Sequence, residues 1–428
     1  MNATIAIAGT AWLAVLTMTG CREPSDPARI VRPNFEAGGA GRPAVLVNPN
    51  ANDNGTAKTI QEGIGMVAAG GSVMVLPGTY VEQIVIDKGL TLEAVGGESG
   101  PVIVAPSGTV DAAIQVVTPD PVTIRGLDVR YTGTRGIFAN RVVDVTIDGA
   151  SIVAVNPPLG ISALVSMLND APTAGRSSVV VRESFLDGSV PAANSAAPPF
   201  PQLFGITIAG DVDAQLVGNV IRRTGGACIF LRTRNDLAGE MNVDITNNDL
   251  DQCYPLGRVA AILVGPGAGN LPTPDRPLTA TGVVNIVGNT IRNSAQACVT
   301  SSAIAYEVYT GRIEHNRILN VVPACATPTL RNFPSAISVG RHLQPLFPPV
   351  TPTVRLNDIV GNAQAGLGIA ANQTLAIDAS CNWWGSADGP SGAGSGTGDA
   401  IVIEAGGATP TFSPFATAPI AETSATGC

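Results

Sequence analysis

Arginines and aspartates gather in the central part of the chain, and they are the side chains best suited to bind a ligand. They are Arg222, Arg223, Arg232, Arg234, Asp249, Asp251, Arg258 and Arg292. Guanidinium groups bind carboxylates in a bidentate manner, so this set could hold an acidic sugar. Few aromatic side chains lie nearby for stacking on sugar rings. The alternative is that these charges form salt bridges between stacked strands on a solvent-exposed face.

Histidine and metal chemistry have little support in the sequence. The two histidines are His315, beside a repeat turn, and His342, with no nucleophile placed for either. No cysteines and histidines have the spacing of a zinc site, so we expect no metal and no cofactor. Of the seven cysteines, Cys21 follows an apolar N-terminal stretch. The six others form an even set, which suggests disulfides in an exported protein.

Eight segments share a pattern of an aliphatic strand, a small or polar turn residue and a second aliphatic position. They read VTIRGLDV (122–129), VTIDGASI (145–152), VVVRESFL (179–186), AQLVGNVI (214–221), VDITNNDL (243–250), VNIVGNTI (284–291), GRIEHNRI (311–318) and VRLNDI (354–359). Corresponding positions in successive copies lie 23 to 41 residues apart, which suits coils of three short strands with inserted loops. The repeat therefore predicts a solenoid of stacked strands.

Asparagine occupies the same position in five consecutive copies. These residues are Asn219, Asn248, Asn289, Asn316 and Asn357. Stacked coils lie about 4.8 Å apart, so such side chains can hydrogen-bond up the stack as a ladder. Asparagine favours turns in general, but that preference poorly explains five in one register.

The cysteines follow this register. Cys298 and Cys325 each lie nine residues after a ladder asparagine of neighbouring coils. One inter-strand spacing falls within the disulfide range, so we predict a Cys298–Cys325 bridge. The remaining pairs are then Cys228–Cys253 and, by elimination, Cys381–Cys428.

Charges alternate in sign at two repeat positions. One position is occupied by Asp187, Arg222, Asp251 and Arg292, and the other by Arg125, Asp148 and Arg182. This order favours salt bridges between coils over a catalytic arrangement.

Both ends of the stack have candidate caps. Residues 57–69 place Ile60, Ile64 and Val67 on one face of a short helix, which would cover the first coil. Trp383-Trp384 could stack on a sugar, but a plug at the C-terminal end is the preferred interpretation.

The N-terminus resembles an export signal. Residues 4–20 are apolar, and Met18-Thr19-Gly20-Cys21 resembles a bacterial lipobox, in which the cysteine is acylated. We expect a signal peptide (1–20), lipidated Cys21 and a flexible tether (21–44). The protein would be a membrane-anchored lipoprotein of the cell envelope or outer surface. The alternative is an ordinary signal and a secreted protein.

Composition excludes one partner class. The net charge is −9, and the only lysines are Lys58 and Lys88. Without a basic patch, nucleic-acid binding is not expected. Apolar residues reach 45% with only 4% aromatics, which predicts a core of Val, Ile, Leu and Ala.

Two segments carry a family resemblance. Residues 57–97 (AKTIQEGIGMVAAGGSVMVLPGTYVEQIVIDKGLTLEAVGG) resemble the opening of the pectin-lyase-like superfamily. CNWWGSADGP (381–390) resembles a terminal motif of bacterial secreted proteins with that fold. The resemblance implies an all-β, single-stranded, right-handed parallel β-helix over residues 45–385, with a C-terminal cap and tail over 386–428.

The catalytic motifs of that superfamily are missing. The sequence lacks the short Asp, Arg and Gln motifs of pectinesterases, the paired-carboxylate motifs of polygalacturonases and the Trp-x-x-Asp-His signature of pectate lyases. We therefore expect a monomer that presents an extended surface for adhesion or for binding a polysaccharide or cell-surface glycan. The alternative is a polysaccharide lyase, hydrolase or epimerase with unfamiliar catalytic residues.

Overall fold

The computed structural model describes residues 41–52, 56–95, 102–105 (backbone only), 111–169, 175–190, 202–233, 239–253, 260–266, 272–275, 277–294, 302–321, 335–341, 346–362, 365–420 and 428. All of them belong to one compact unit, Gly39–Cys428. Cys21, Arg234, Arg258, Cys298 and Cys325 lie outside the described residues, and so do the predicted signal peptide and most of the tether.

Thirty-three strands and one helix make up the described part of the chain. The N-terminal elements are β1 (Arg42–Val47), α1 (Ile60–Met66), β2 (Val67–Val75), β3 (Thr79–Val81), β4 (Ile84–Ile86), β5 (Leu90–Ala94), β6 (Val102–Ala105), β7 (Ala112–Val116), β8 (Pro121–Arg125), β9 (Asp128–Tyr131), β10 (Arg135–Asn140), β11 (Asp144–Asp148) and β12 (Ser151–Ala154). The central strands are β13 (Ile161–Leu168), β14 (Ser177–Arg182), β15 (Phe185–Asp187), β16 (Gln202–Ala209), β17 (Val212–Val217), β18 (Val220–Thr224), β19 (Ile229–Thr233), β20 (Met241–Thr246), β21 (Asp249–Cys253), β22 (Ile262–Pro266) and β23 (Val284–Val287). The C-terminal strands are β24 (Thr290–Arg292), β25 (Ile304–Tyr306), β26 (Thr310–Glu314), β27 (Arg317–Leu319), β28 (Ile337–Val339), β29 (Thr351–Arg355), β30 (Asp358–Val360), β31 (Leu367–Ile369), β32 (Pro390–Gly392) and β33 (Gly398–Ile403).

These strands form three parallel sheets that the chain visits in turn. Sheet A has the order β1-β2-β5-β8-β11-β14-β17-β20-β23-β26-β29. Sheet B has the order β3-β6-β9-β12-β15-β18-β21-β24-β27-β30. Sheet C has the order β4-β7-β10-β13-β16-β19-β22-β25-β28-β31-β33-β32. Each strand thus pairs with the strand about one coil later, which is consistent with an all-β parallel β-helix solenoid.

The core follows from alternating strand positions. On sheet A, Ile124, Ile147, Val181 and Leu216 pair directly across four strands, and all four are fully buried. Their neighbours along each strand face outward, because successive side chains of a strand point to opposite faces. One continuous hydrophobic cluster, in which most side chains are aliphatic, runs from Val45 to Ile401. The main stabilisation is therefore apolar burial shared by all coils.

Sheet C is buried on both faces over its central strands. Every described position of β22, β25 and β28 is buried. Phe230 and Leu263 form a second apolar cluster with three alanines, and Phe204 packs against it at a ring distance of 5.4 Å from Phe230. Sheet A differs, because its outward positions remain accessible to solvent.

The helix α1 covers the N-terminal end of the stack. The side chain of Thr59 accepts a hydrogen bond from the backbone N–H of Glu62 and begins the helix. Ile60 and Ile64 point into the core. The side chain of Gln61 donates to Val85 O (3.2 Å) and accepts from Val85 N (2.7 Å), so it pairs with the backbone of the edge strand β4. The helix ends at Met66, and the predicted helical residue Val67 begins β2 because its backbone is extended.

The C-terminal end is closed by residues that follow β31. Trp384 is fully buried in the core cluster, while Trp383 is half-buried and bridges to Asp358. β33 continues sheet C, so paired strands run from Arg42 to Ile403. No helix among the described residues is long and apolar enough to span a membrane.

Candidate functional site

The predicted cluster of arginines and aspartates divides between two sheets. Arg222 and Arg223 lie on β18, Asp249 and Asp251 on β21, and Arg292 on β24, all in sheet B. Arg232 lies on β19 in sheet C.

Asp187 holds two of the predicted arginines. Its side chain is 2% exposed and accepts from Arg222 Nε at 3.1 Å and from Arg223. Burial alone would raise the pKa of Asp187, but the hydrogen bonds from Arg223 and from the Ser189 backbone hold it below its usual value. Arg222 also lies over the Phe185 ring, 4.6 Å from its centroid.

Arg292 is paired in the same manner two coils further along the stack. It donates to both carboxylate oxygens of Asp249, at 2.5 and 2.8 Å, and lies 3.9 Å from Asp251. Asn293 donates to Asp251 at 2.9 Å. These side chains therefore join neighbouring coils in columns. Asp187, Arg222, Asp251 and Arg292 are direct register partners across β15, β18, β21 and β24, so the charges pair along one row of the sheet.

The second set of alternating charges, on sheet A, is also paired between neighbouring coils. Asp148 accepts from Arg182 at 2.9 Å and from Arg125 at 3.3 Å. The hydrogen bond from Arg182 is the main reason why the pKa of Asp148 is lowered. The three residues bridge β8, β11 and β14.

The ladder asparagines are hydrogen-bonded in series. In each step, the backbone N–H and the Nδ2 of one asparagine both donate to Oδ1 of the next. For Asn219 and Asn248 the distances are 3.0 and 2.9 Å. The same Nδ2 also donates to a core-strand carbonyl, as Asn248 does to Leu216 O at 2.8 Å. All five side chains are buried, so the ladder satisfies backbone groups that water cannot reach.

The ladder extends at both ends beyond the predicted residues. Asn382 accepts from Asn357 N (3.0 Å) and Nδ2 (2.9 Å). At the other end, Ser184 N donates to Asn219 Oδ1, and Ser184 Oγ accepts from Ala150 N. Ser184 occupies the asparagine position of its own repeat copy. Asn382 does not belong to any of the eight repeat copies.

Two cysteine pairs are described. Cys228 and Cys253 form a disulfide that joins residues 25 apart in sequence. Cys381 and Cys428 are free thiols, and their side chains are hydrogen-bonded to each other. Burial would raise the pKa of Cys381, but hydrogen bonds from Cys428 and Arg355 lower it. The predicted Cys381–Cys428 bridge is therefore not formed in this structure, although the two thiols are adjacent.

An open groove lies on the solvent-exposed face of sheet A, across β14, β17, β20 and β23. Its volume is about 340 Å³. The outward-facing side chains that line it are Ser178, Val180, Asp213, Gln215, Asn242, Asp244, Val283 and Asn285. Sequence analysis did not single out these residues, because outward strand positions differ in type from coil to coil.

One side of the groove is held by Arg176. Its guanidinium binds Asp213 through two nitrogens and Asp211 at 2.6 Å, and it lies 3.5 Å from Glu240. The hydrogen bond from Arg176 lowers the pKa of Asp213. Asn242 donates to Asp213 (3.2 Å) and to Glu240 (3.1 Å). This side of the groove is therefore fixed in place before any ligand arrives.

The other side of the groove has unused hydrogen-bonding groups. Gln215 and Asp244 are direct register partners on β17 and β20, and both are exposed. Asn285 donates to Asp244 Oδ1 at 2.8 Å, which leaves Oδ2 without a partner among the described residues. Within that same part of the chain, the side chains of Gln215 and Ser178 have none either. These groups are available to a ligand.

A buried ion pair lies just beyond the ends of β25 and β28 of sheet C. Arg341 donates to Glu307 at 2.6 Å, and both side chains are 1% exposed. The Arg341 guanidinium also lies over the Phe347 ring, 4.7 Å from its centroid. Complete burial argues for a structural role.

Within the described ranges, no three His, Cys, Asp or Glu side chains are grouped so that they could hold a metal ion. No family model, curated protein or solved structure matches this chain.

Proposed function

We propose that this chain is an exported, lipid-anchored glycan-binding protein, built as a single-stranded, right-handed parallel β-helix of the pectin-lyase-like kind. The parallel connections between coils support the right-handed form, since about 98% of such crossovers are right-handed. The resemblance of residues 57–97 and 381–390 to that superfamily supports the fold family.

The observation that carries the binding function is the groove on sheet A. It crosses four strands, it is open to solvent, and it presents hydrogen-bonding side chains at each strand. Strands repeat about every 4.8 Å, so a linear polymer lying across them would meet similar groups repeatedly. Val180 and Val283 add apolar surface that the C–H face of a sugar ring can contact.

The arrangement favours binding over catalysis. Hydrolysis by paired carboxylates needs one acid and one base placed on either side of a bond. In the groove, Asp213 is occupied by Arg176 and Asn242, and only Asp244 has a free oxygen. The charged residues of sheet B pair with one another.

A polysaccharide screen tests the proposal. We expect retention of the protein on one or more insoluble or immobilised glycans, with loss of retention in the Gln215→Ala/Asp244→Ala double variant. Arg125→Ala, on the same sheet outside the groove, should bind like the unmodified protein. Release of unsaturated or reducing products would show that the protein is an enzyme and would overturn the binding-only proposal. Failure to bind any glycan would refute the function.

The lipid anchor has a separate test. Full-length protein should partition with membranes and carry the mass of a diacylated Cys21. Cys21→Ala should be released into the soluble fraction. Unchanged membrane retention of this variant would refute lipidation without bearing on the groove.

A further inference from the structure

We infer that the groove on sheet A selects sugars that carry a free ammonium group, so its ligand class is an amino-sugar polymer and not a uronate polymer. This inference rests on the proposed glycan-binding function and names the ligand for the same groove. It also reverses the acidic-sugar expectation, since three of the arginines behind that expectation, Arg222, Arg223 and Arg292, are paired with aspartates on sheet B.

The first argument is the charge of the groove and its rim. Asp211, Asp213, Glu240 and Asp244 supply four carboxylates, and Arg176 supplies one guanidinium, which leaves a net charge of −3. Complementary charge steers and selects ligands, and like charge excludes them. A polymer with one carboxylate per sugar would be repelled along the whole groove.

The neighbouring cations are paired with other carboxylates. Arg312 of β26 lies one strand beyond Asn285, since Ile286 and Ile313 are register partners, and its guanidinium is 3.6 Å from Glu314. Arg182 lies two residues beyond Val180 on β14, but it is turned to Asp148 at 2.9 Å in the adjacent coil. The guanidinium of Arg176 is shared among three carboxylates and has no capacity left for an anionic ligand.

The second argument is the inventory of free groups. Asp244 Oδ2 and Gln215 Oε1 are acceptors, and they lie on adjacent strands at the same register. An ammonium group donates three hydrogen bonds and accepts none, so it can use both acceptors at once. A charge-assisted hydrogen bond is about twice as strong as one between neutral groups. Asp244 is therefore the residue that distinguishes an amine from a hydroxyl or an acetamide.

The third argument is that the groove is ordered in advance. Arg176 and Asn242 fix Asp213, and Asn285 fixes one oxygen of Asp244. Side chains that are already positioned lose little conformational freedom on binding. The ligand then meets a prepared row of acceptors on a rigid sheet.

The test compares three oligosaccharides of equal length by isothermal titration calorimetry, at mildly acidic pH and low salt. The probes are a glucosamine oligomer, its N-acetylated form and a galacturonate oligomer. We expect the glucosamine oligomer to bind about tenfold or more tightly than the N-acetylated form. The galacturonate oligomer should show no binding, and added salt should reduce the preference because it screens exposed charges.

Two variants locate the effect. Asp244→Asn keeps the shape and the contact to Asn285, and it should bring glucosamine binding down to the level of the N-acetylated oligomer. Glu93→Gln removes the same charge from the exposed face of sheet A, five strands away on β5, and should change nothing. Circular dichroism of both variants confirms that the sheet is intact.

The outcomes separate the two proposals. Absence of binding to all three probes and to every glycan in the screen would overturn the glycan-binding function itself. Two results would overturn the amine selectivity but leave the glycan-binding function standing. One is that the N-acetylated oligomer binds as tightly as the glucosamine oligomer. The other is that the galacturonate oligomer binds and that Gln215→Ala abolishes this binding. An amine preference that survives Asp244→Asn would overturn the assignment to this groove.

Discussion

Single buried polar residues hold neighbouring coils of this molecule in register with one another. Asn289 illustrates this, since its side chain is hydrogen-bonded to four residues, one of which is Val287, whose carbonyl oxygen accepts from Nδ2 at 3.3 Å. It accepts from Asn248 N at 2.9 Å and donates to Ile245 O at 2.8 Å and to Asn316 Oδ1 at 3.0 Å. Because the residue is fully buried, water cannot replace these contacts.

Asn289→Ala should therefore lower the free energy of unfolding by about 2–5 kcal/mol, since each buried group left unpaired costs about 1–3 kcal/mol. Urea unfolding followed by circular dichroism measures the change. Asn285→Ala, a half-buried asparagine on the outward face of the preceding strand β23, serves as the control and should cost less than about 1 kcal/mol. Equal effects of the two substitutions would show that the ladder adds nothing beyond surface contacts.

The Glu307–Arg341 pair gives a second prediction for single residues. Glu307→Gln leaves the guanidinium of Arg341 buried without its counter-charge, which should cost about 3–5 kcal/mol. Glu307→Gln combined with Arg341→Met removes both charges and should recover most of the loss. A double variant as unstable as the sum of its parts would contradict a compensating ion pair.

Acid sensitivity follows from Asp187. Its pKa is lowered in the folded protein. The carboxylate therefore stabilises the fold above the unfolded pKa of about 3.9, and this contribution is lost as the pH falls through the lower folded value. Denaturation midpoints measured from neutral to acidic pH should fall less steeply in Asp187→Asn, from a lower starting stability. Parallel pH profiles for the two proteins would be inconsistent with this linkage.

Among the elements, α1 covers the N-terminal end of the stack and the edge strand β4 of sheet C. Its Gln61 side chain takes the place of a further strand beside Val85 of β4. Unpaired edge backbone invites association with other chains, so this contact protects the end of sheet C.

Gln61→Met keeps the length of the side chain but cannot pair with Val85. Amide hydrogen exchange at Val85 should become faster, while exchange at the central strand β17 should stay unchanged. Light scattering at increasing concentration should show more self-association than in Lys58→Met, a neighbouring exposed control. Unaltered exchange at Val85 would show that the edge is protected by other means.

The predictability of these elements depended on repetition. The asparagine register and the alternating charges recur in coil after coil, so they stand out in one sequence. Asn382 was missed because it does not belong to any of the eight repeat copies. Ser184 was missed because it is not an asparagine. The strand β13 lies between two copies of the repeat, so the repeat did not predict that it buries Leu164, Val165 and Met167.

At the scale of the whole molecule, the solenoid was predictable and the groove was not. The inward pattern of each coil is read directly from the sequence. Outward neighbours such as Gln215 and Asp244 are 29 residues apart, and their register depends on the lengths of inserted loops. The arginines were predictable as charges, but whether they would pair with one another required their positions in space.

The uniform rungs of the asparagine ladder have a consequence for how such a molecule can change in length. Each ladder asparagine accepts hydrogen bonds from the asparagine before it and donates hydrogen bonds to the one after it. The junctions between neighbouring coils of the ladder are therefore equivalent. A gene segment that encodes one complete coil could be gained or lost between them without stranding a donor or an acceptor. The contacts that would resist such an exchange are the ones that tie particular coils together, the Cys228–Cys253 bridge and the Glu307–Arg341 pair. The span of the groove could thus be adjusted in whole steps of one strand, while its two capped ends stay the same.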